Sequence, residues 1–212
     1  AAVAYLCLGK LGPAYDSREV GLSDKSVLRT QALASGTPLD NLQANYAKAG
    51  DIGLVAEEAL AAKSQQPLFG SPLTVSRVWE RLHALSLETG SGSQERKFRA
   101  LAELLHDGTP QDARYLCRTA VGKLRLGFSQ MLLVDGLAEA FGSREERSMV
   151  EAAYNRHPDI GWLAQRTAAD FSSLADVRTT PGIPLRPMLG ERLSSAEAVL
   201  EKHDGESAFE WK

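Results

Sequence analysis

Over most of this chain the apolar positions recur every three to four residues, the period of helices that bury one face. Residues 95–106 place Phe98, Leu101, Leu104 and Leu105 on one face, and residues 129–141 do the same with Val134, Leu137, Ala138 and Phe141. Thr74 stands in the N-cap position of a helix carrying Val75, Val78, Trp79, Leu82 and Leu85, which ends near Thr89-Gly90. Ser23 or Asp24 can cap another through Val27, Leu28 and Ala32 that closes at Ser35-Gly36, and residues 51–62 and 143–155 read as two more. Gly, Pro and Ser mark short connections at 12–13, 36–38, 67–72, 90–93 and 108–110, and there is no repeat of fixed period. The pattern predicts one compact all-α domain over residues 1–175. Its first helix starts at Ala1 without a capping residue, which reads as a cut end.

The texture changes after residue 175. Thr180 to Pro187, TPGIPLRP, has three prolines in eight residues and cannot be helical, so 176–187 is expected to be an extended Pro-rich linker. A short helix, Ser194 to Lys202, and a turn at His203-Asp204-Gly205 follow. Ser207 to Lys212 then alternates with the period of a strand, Phe209 and Trp211 facing one way, Glu210 and Lys212 the other. Residues 188–212 are expected to open a second, strand-containing domain that is truncated.

Composition fits a globular protein with ample core material, 43% apolar and 24% charged residues. No run approaches the ~20 apolar residues of a membrane helix, and the first residues lack the pattern of a signal peptide. Cys7 and Cys117 lie in apolar segments without a Cys or His at ligand spacing, and the four histidines are scattered. The expectation is two buried free thiols in a reducing compartment and no metal site.

Charge changes the picture more. The net charge is −3, yet residues 91–127 carry seven Lys/Arg against four acids, a local +3 that leaves −6 for the remainder. A basic centre in an acidic chain points to a polyanion. Two loops in this region are candidates. In TGSGSQERK, Thr89 to Lys97, Gly90, Ser91, Gly92 and Ser93 precede a helix whose first turn carries Gln94, Arg96 and Lys97. Free amides at a helix start with no Cβ in the way suit a phosphate; a plain helix cap with a solvated basic face is the alternative. In VGKLRLGFS, Val121 to Ser129, a hairpin bounded by Gly122 and Gly127 alternates Lys123 and Arg125 with Leu124 and Leu126. The apolar pair would anchor it and the basic pair point out; the alternative is a helix–helix connection with incidental charge. With Arg118, the two loops would form a surface for duplex phosphates, bound without regard to base sequence. Few aromatics lie near, so base stacking on single strands is disfavoured.

SGSQERKFRALAELL followed by ARYLCRTAVGKLRLGF, together with YLCLGKLGPAY, EVGLSDK, GDIGLVAEE, YNRHPDIGWLAQ and PGIPLRPML in order, resembles the DNA-binding domain of ATP-dependent DNA ligases of the archaeal and eukaryotic replicative type. The resemblance runs over nearly the whole chain, and family members carry further helical sequence before its first residue. It implies a helical domain that grips nicked double-stranded DNA by minor-groove and backbone contacts, with 90–97 and 122–127 matching phosphate-contacting loops. It implies that the Pro-rich segment leads into an adenylation domain whose Lys-x-Asp-Gly motif begins in EWK. Lys212 would then attack the α-phosphate of ATP to give a lysyl-AMP, and Glu210 would hold the adenine amino group. AMP would pass to the 5′-phosphate of the nick before the 3′-hydroxyl displaces it. ATP and Mg²⁺ are implied for the full-length enzyme and neither for this fragment, which is expected to be monomeric and unable to ligate. A sliding clamp is a further partner of the family, and the setting is the nucleoid or the nucleus according to source. Two other functions stay open: a non-catalytic duplex-DNA-binding module, and an all-α protein-interaction domain.

Overall fold

The computed structural model describes residues 1–63, 73–187, 192–205 and 208. Among them are eleven α-helices and no strand: α1 Ala2–Cys7, α2 Asp24–Ser35, α3 Leu39–Ala49, α4 Ile52–Ala61, α5 Val75–Leu87, α6 Ser93–Asp107, α7 Pro110–Ala120, α8 Gln130–Phe141, α9 Arg147–Arg156, α10 Ile160–Ala169 and α11 Ala196–Lys202. Short 3-10 turns occupy Arg144–Glu146 and Phe171–Asp176. The expected all-α class is what forms. The connection at 67–72 and the strand-like residues Phe209 to Lys212 lie outside the described residues.

Local chemistry sets the boundaries. Ser23 accepts from Ser26 N and Thr74 from Arg77 N, both at 3.2 Å, fixing the starts of α2 and α5. Thr109 and Asp112 form a reciprocal capping box ahead of α7, with Pro110 in its first turn. One predicted helix is corrected. Residues 143–155 do not run as a single helix: Arg144–Glu146 is a 3-10 turn, and α9 begins only at Arg147. No side chain of Arg144–Glu146 is buried, so nothing anchors that stretch to the core.

Two cores result. The larger is built from α2 to α7 and the segment containing Leu11, Val20 and Leu22; the smaller joins α1, α8, α9, α10 and the second 3-10 turn. Trp79 of α5 packs against both, and Tyr5 of α1 stacks on it with ring centroids 5.4 Å apart. The Tyr5 hydroxyl donates to Asp159, whose carboxylate also caps α10 by accepting from Trp162 N at 2.9 Å. Burial and the bond to Asp159 push the Tyr5 phenol far above its ordinary value, so it stays a neutral donor. Gly161 lets this happen, since a Cβ there would collide with the Tyr5 ring.

Cys117 is fully buried and its thiol is pushed up to about 12 by burial, whereas Cys7 is only half-buried, which corrects the expectation of two buried thiols. No described helix is long and apolar enough to cross a membrane.

The junction is testable with two glycines. Gly161→Ala should cost about 1–3 kcal/mol by forcing the Tyr5 ring off Trp79. Gly136→Ala, at a helical site with nothing within 4 Å of the added Cβ, should instead gain about 0.5–1 kcal/mol. Urea denaturation of both variants measures the contrast, and equal effects would refute this account of the junction.

Candidate nucleic-acid interface

The hairpin candidate is held by one carboxylate. Asp51 precedes α4 and caps it, Oδ1 accepting from Gly53 N at 2.8 Å and Leu54 N at 3.2 Å. The same group takes Arg118 through both oxygens, Nε to Oδ1 at 3.1 Å and Nη2 to Oδ2 at 2.7 Å, and Arg125 Nη1 at 3.2 Å. Burial pushes the Asp51 carboxyl up, but Arg118 and the two amides outweigh it and hold it below its ordinary value. Helices α4 and α7 meet at Gly53, where a Cβ would lie 2.6 Å from Arg114 O and 2.8 Å from Arg118 Cγ. Arg118, its side chain 12% exposed, therefore acts as a strut between α4 and α7.

The hairpin leaves α7 through a Schellman turn. Lys123 N donates to Arg118 O at 2.9 Å and Gly122 N to Thr119 O at 3.0 Å, with Gly122 at φ +69°. Leu124 anchors the turn against Gly9, where a Cβ would lie 2.9 Å from that of Leu124. The expected alternation is only half realised: Leu126 stays 40% exposed rather than packing as an anchor. Lys123 and Arg125 have half-exposed side chains, but each reaches an acid, Lys123 lying 3.5 Å from Asp24. Arg125 sits at φ +55°, an uncommon conformation for a side-chain-bearing residue, while its guanidinium reaches back to Asp51.

The glycine loop shows a different device. Arg96 folds back over its own loop, donating to Glu88 Oε2 at 2.7 Å, Ser91 O at 3.1 Å and Thr89 O at 3.2 Å. In a trans peptide the carbonyl and the following N–H point in opposite directions. Drawing the Thr89 and Ser91 carbonyls toward Arg96 therefore turns the N–H groups of Gly90 and Gly92 away from it. Lys97 does the same to another segment. It is 7% exposed, and its Nζ donates to Val20 O at 2.8 Å, turning the N–H of Gly21 outward. All three glycines have positive φ, +80°, +74° and +68°. No protein acceptor among the described residues takes their N–H groups. At Gly90 an added Cβ would meet open space.

Two of these pieces adjoin. Residues 9–11, 18–22 and 119–122 line one small cleft of about 100 Å³, so the segment clamped by Lys97 borders the start of the hairpin. Ser91, Ser93 and Gln94 remain at the start of α6, which has no side-chain cap. The structure thus separates the expected basic residues. Lys123 and Arg125 reach the surface, whereas Lys97 and Arg118 point inward, one to the Val20 carbonyl and the other to the Asp51 carboxylate. Two participants escaped the sequence, Asp51 and Gly21, and Arg96 was legible only as a basic residue in the first turn of its helix. Asp51 was visible only as a helix start, and its partners lie 67 and 74 residues along the chain. Glu210 and Lys212 lie outside the described residues, and no group of three His, Cys, Asp or Glu that would hold a metal ion occurs among those described.

Residues 1–138 match the family model described as DNA ligase N terminus. The chain is 42% identical over 219 residues to DNA ligase 2 of Thermofilum pendens and 42% identical over 214 residues to the DNA ligase of Pyrobaculum neutrophilum. It is 36% identical over 212 residues to the DNA ligase of Thermoplasma volcanium. These alignments cover 99%, 99% and 100% of this chain and 36% of each relative, so the chain spans about a third of the length of the curated relatives it matches.

Asp51→Asn tests the node. Asparagine keeps a capping acceptor but removes the charge that both arginines face, and near neutral pH it should cost about 2–4 kcal/mol. The stability owed to an ionised Asp51 is complete above its ordinary value of 3.8 and is lost as pH falls through the lower folded value. The gap between parent and variant should therefore close in acid. Urea denaturation as a function of pH checks this, and a gap that stays constant would show that the charge is not responsible.

Proposed function

Because the chain belongs to the DNA ligase N-terminus family, we propose that it is the duplex-gripping part of an ATP-dependent DNA ligase. The observation that carries this reading is the set of three outward N–H groups at Gly21, Gly90 and Gly92. Main-chain amides freed of Cβ recognise phosphate oxygens without reading bases, which is what a protein that seals breaks at any sequence requires. They add no net charge, so a chain of net charge −3 can hold a polyanion. The half-exposed Lys123 and Arg125 add cations to a second stretch of backbone, exchanging part of their contact with Asp24 and Asp51 for phosphate. Ser91, Ser93 and Gln94 offer further donors beside the glycine amides, and Gly122 and Gly127 let the hairpin approach closely in the minor groove.

The partner is nicked duplex DNA, with a sliding clamp as a second partner of the parent. The archaeal relatives support a nucleoid-associated setting. Sealing through a lysyl-AMP on Lys212, with Glu210 holding adenine, belongs to the parent enzyme. ATP and Mg²⁺ are proposed for it on the family resemblance alone. What the described residues do is hold and orient the duplex so that the nick is presented to that chemistry.

Binding of this chain to a nicked duplex, followed across a salt titration, tests the proposal. Affinity should fall steeply with salt. Replacing Lys123 and Arg125 together by alanine should weaken binding and flatten the logarithmic salt slope by about two, one per phosphate-facing cation, without loss of helix content. Arg96→Met should weaken binding about tenfold with the slope nearly unchanged, since it releases carbonyls and disorders the amides. Unaltered affinity in a folded Arg96→Met variant would sink the amide mechanism, and undetectable binding at low salt would sink the DNA reading.

A further inference from the structure

The Pro-rich segment makes a contact whose place is unexpected for a free linker. Val177, 6% exposed, is the last residue of the smaller core. Residues 178–185 then run over the surface through a turn closed by Ile183 N donating to Thr180 O at 3.1 Å. At Arg186 the chain returns to the body. Its backbone N–H donates to Asn155 O at 3.0 Å. Its guanidinium lies 5.6 Å above the ring of Tyr154, a residue only 1% exposed, and Nη1 sits 2.7 Å from Met131 Sδ. Asn155 belongs to the last turn of α9, where carbonyls lack helical partners and the helix dipole favours a cation. One residue thus satisfies a terminal carbonyl, places a positive charge at the negative end of α9 and covers an aromatic face. Pro184 and Pro187 flank it and restrict the backbone to extended conformations, which lowers the entropy lost on docking.

We propose that Arg186 is a positioning residue for nick sealing: it pins the far end of the Pro-rich segment to the helical body, so that the tether to the catalytic unit starts at Arg186 and not at Val177. This rests on the ligase reading above. The consequence is one of reach. Releasing the nine residues 178–186 would lengthen the tether by about 28 Å at ~3.1 Å per residue of extended Pro-rich chain. A longer tether spreads the catalytic unit over a larger volume and lowers its effective concentration at the nick held by the helical body. The pin acts after the duplex is bound and is not needed for any reaction of the catalytic unit away from DNA. On this proposal the extended linker expected over 176–187 is docked at its far end.

The test uses the full-length parent together with this chain, as Arg186→Ala and Arg186→Lys. In the parent, Arg186→Ala should lower kcat/KM for sealing a pre-adenylated nick about tenfold. Its rate of self-adenylation with ATP should stay unchanged, and lysine, which keeps a cation over Tyr154, should restore most of the loss. In this chain, Arg186→Ala should leave affinity for a nicked duplex unchanged and speed tryptic cleavage after Arg178. Sealing equal to the parent's, or cleavage no faster, overturns the pin. A parallel loss of sealing and self-adenylation overturns it too, because the defect is then one of folding. A parent that seals no nick at all removes the ligase reading, and the positioning role falls with it.

Discussion

The ion pair between Asp51 and Arg118 is the constraint on which the rest of this structure depends. Helices α4 and α7 touch at Gly53 with no room for a side chain between them. A carboxylate that caps α4 at that junction is buried, and a buried carboxylate must be met by hydrogen bonds and a cation. Two amides of α4 and the fork of Arg118 supply both. Removing either charge would strand the other, which is why the pair defines how the helices sit more firmly than its net contribution to stability suggests. The position of α7 then fixes its last turn, the Schellman turn at Gly122 fixes where the hairpin leaves, and Arg125 ties the hairpin back to the same carboxylate. The candidate surface is thereby determined from a buried point.

What was legible in the sequence follows from how local each cause is. Helices α2 and α5 were readable because Ser23 and Thr74 announce their starts and a full apolar face follows. Helix α3 was not, because no side chain caps its start at Pro38, although Leu39, Leu42 and Tyr46 share one face against the larger core. The two candidate loops were legible from their glycines, which mark backbone needing positive φ. The aim of each basic side chain was not. Lys97 and Lys123 look alike in sequence, yet one is buried under Val20 and the other stands at the surface near Asp24. The local excess of +3 does not say which cations face outward, for the same reason. It is met by Asp24, Asp51, Glu57 and Glu88, all from outside the basic stretch. Apart from Arg96 and Glu88, these partners stand 57 to 99 residues apart, so packing decides the contacts and no short window of sequence contains both members.

The amide arrangement also explains why two basic residues stand side by side at the start of α6. Consecutive residues on a helix point about 100° apart, so Arg96 and Lys97 serve different neighbours. Arg96 turns back to the Thr89–Ser91 loop, while Lys97 turns inward to the Val20 carbonyl. One turn of helix thus orients peptide groups from two segments about seventy residues apart. Lys97 shares its face of α6 with Leu101, Leu104 and Leu105, all within the larger core, so its clamp inherits the rigidity of that core. Amides oriented before a ligand arrives lose little freedom on binding, and each retains a geometry that a flexible surface lysine would have to acquire. Arg96 and Lys97 are thus committed to holding backbone in place, which leaves the neutral N–H donors of Gly21, Gly90 and Gly92 directed away from them.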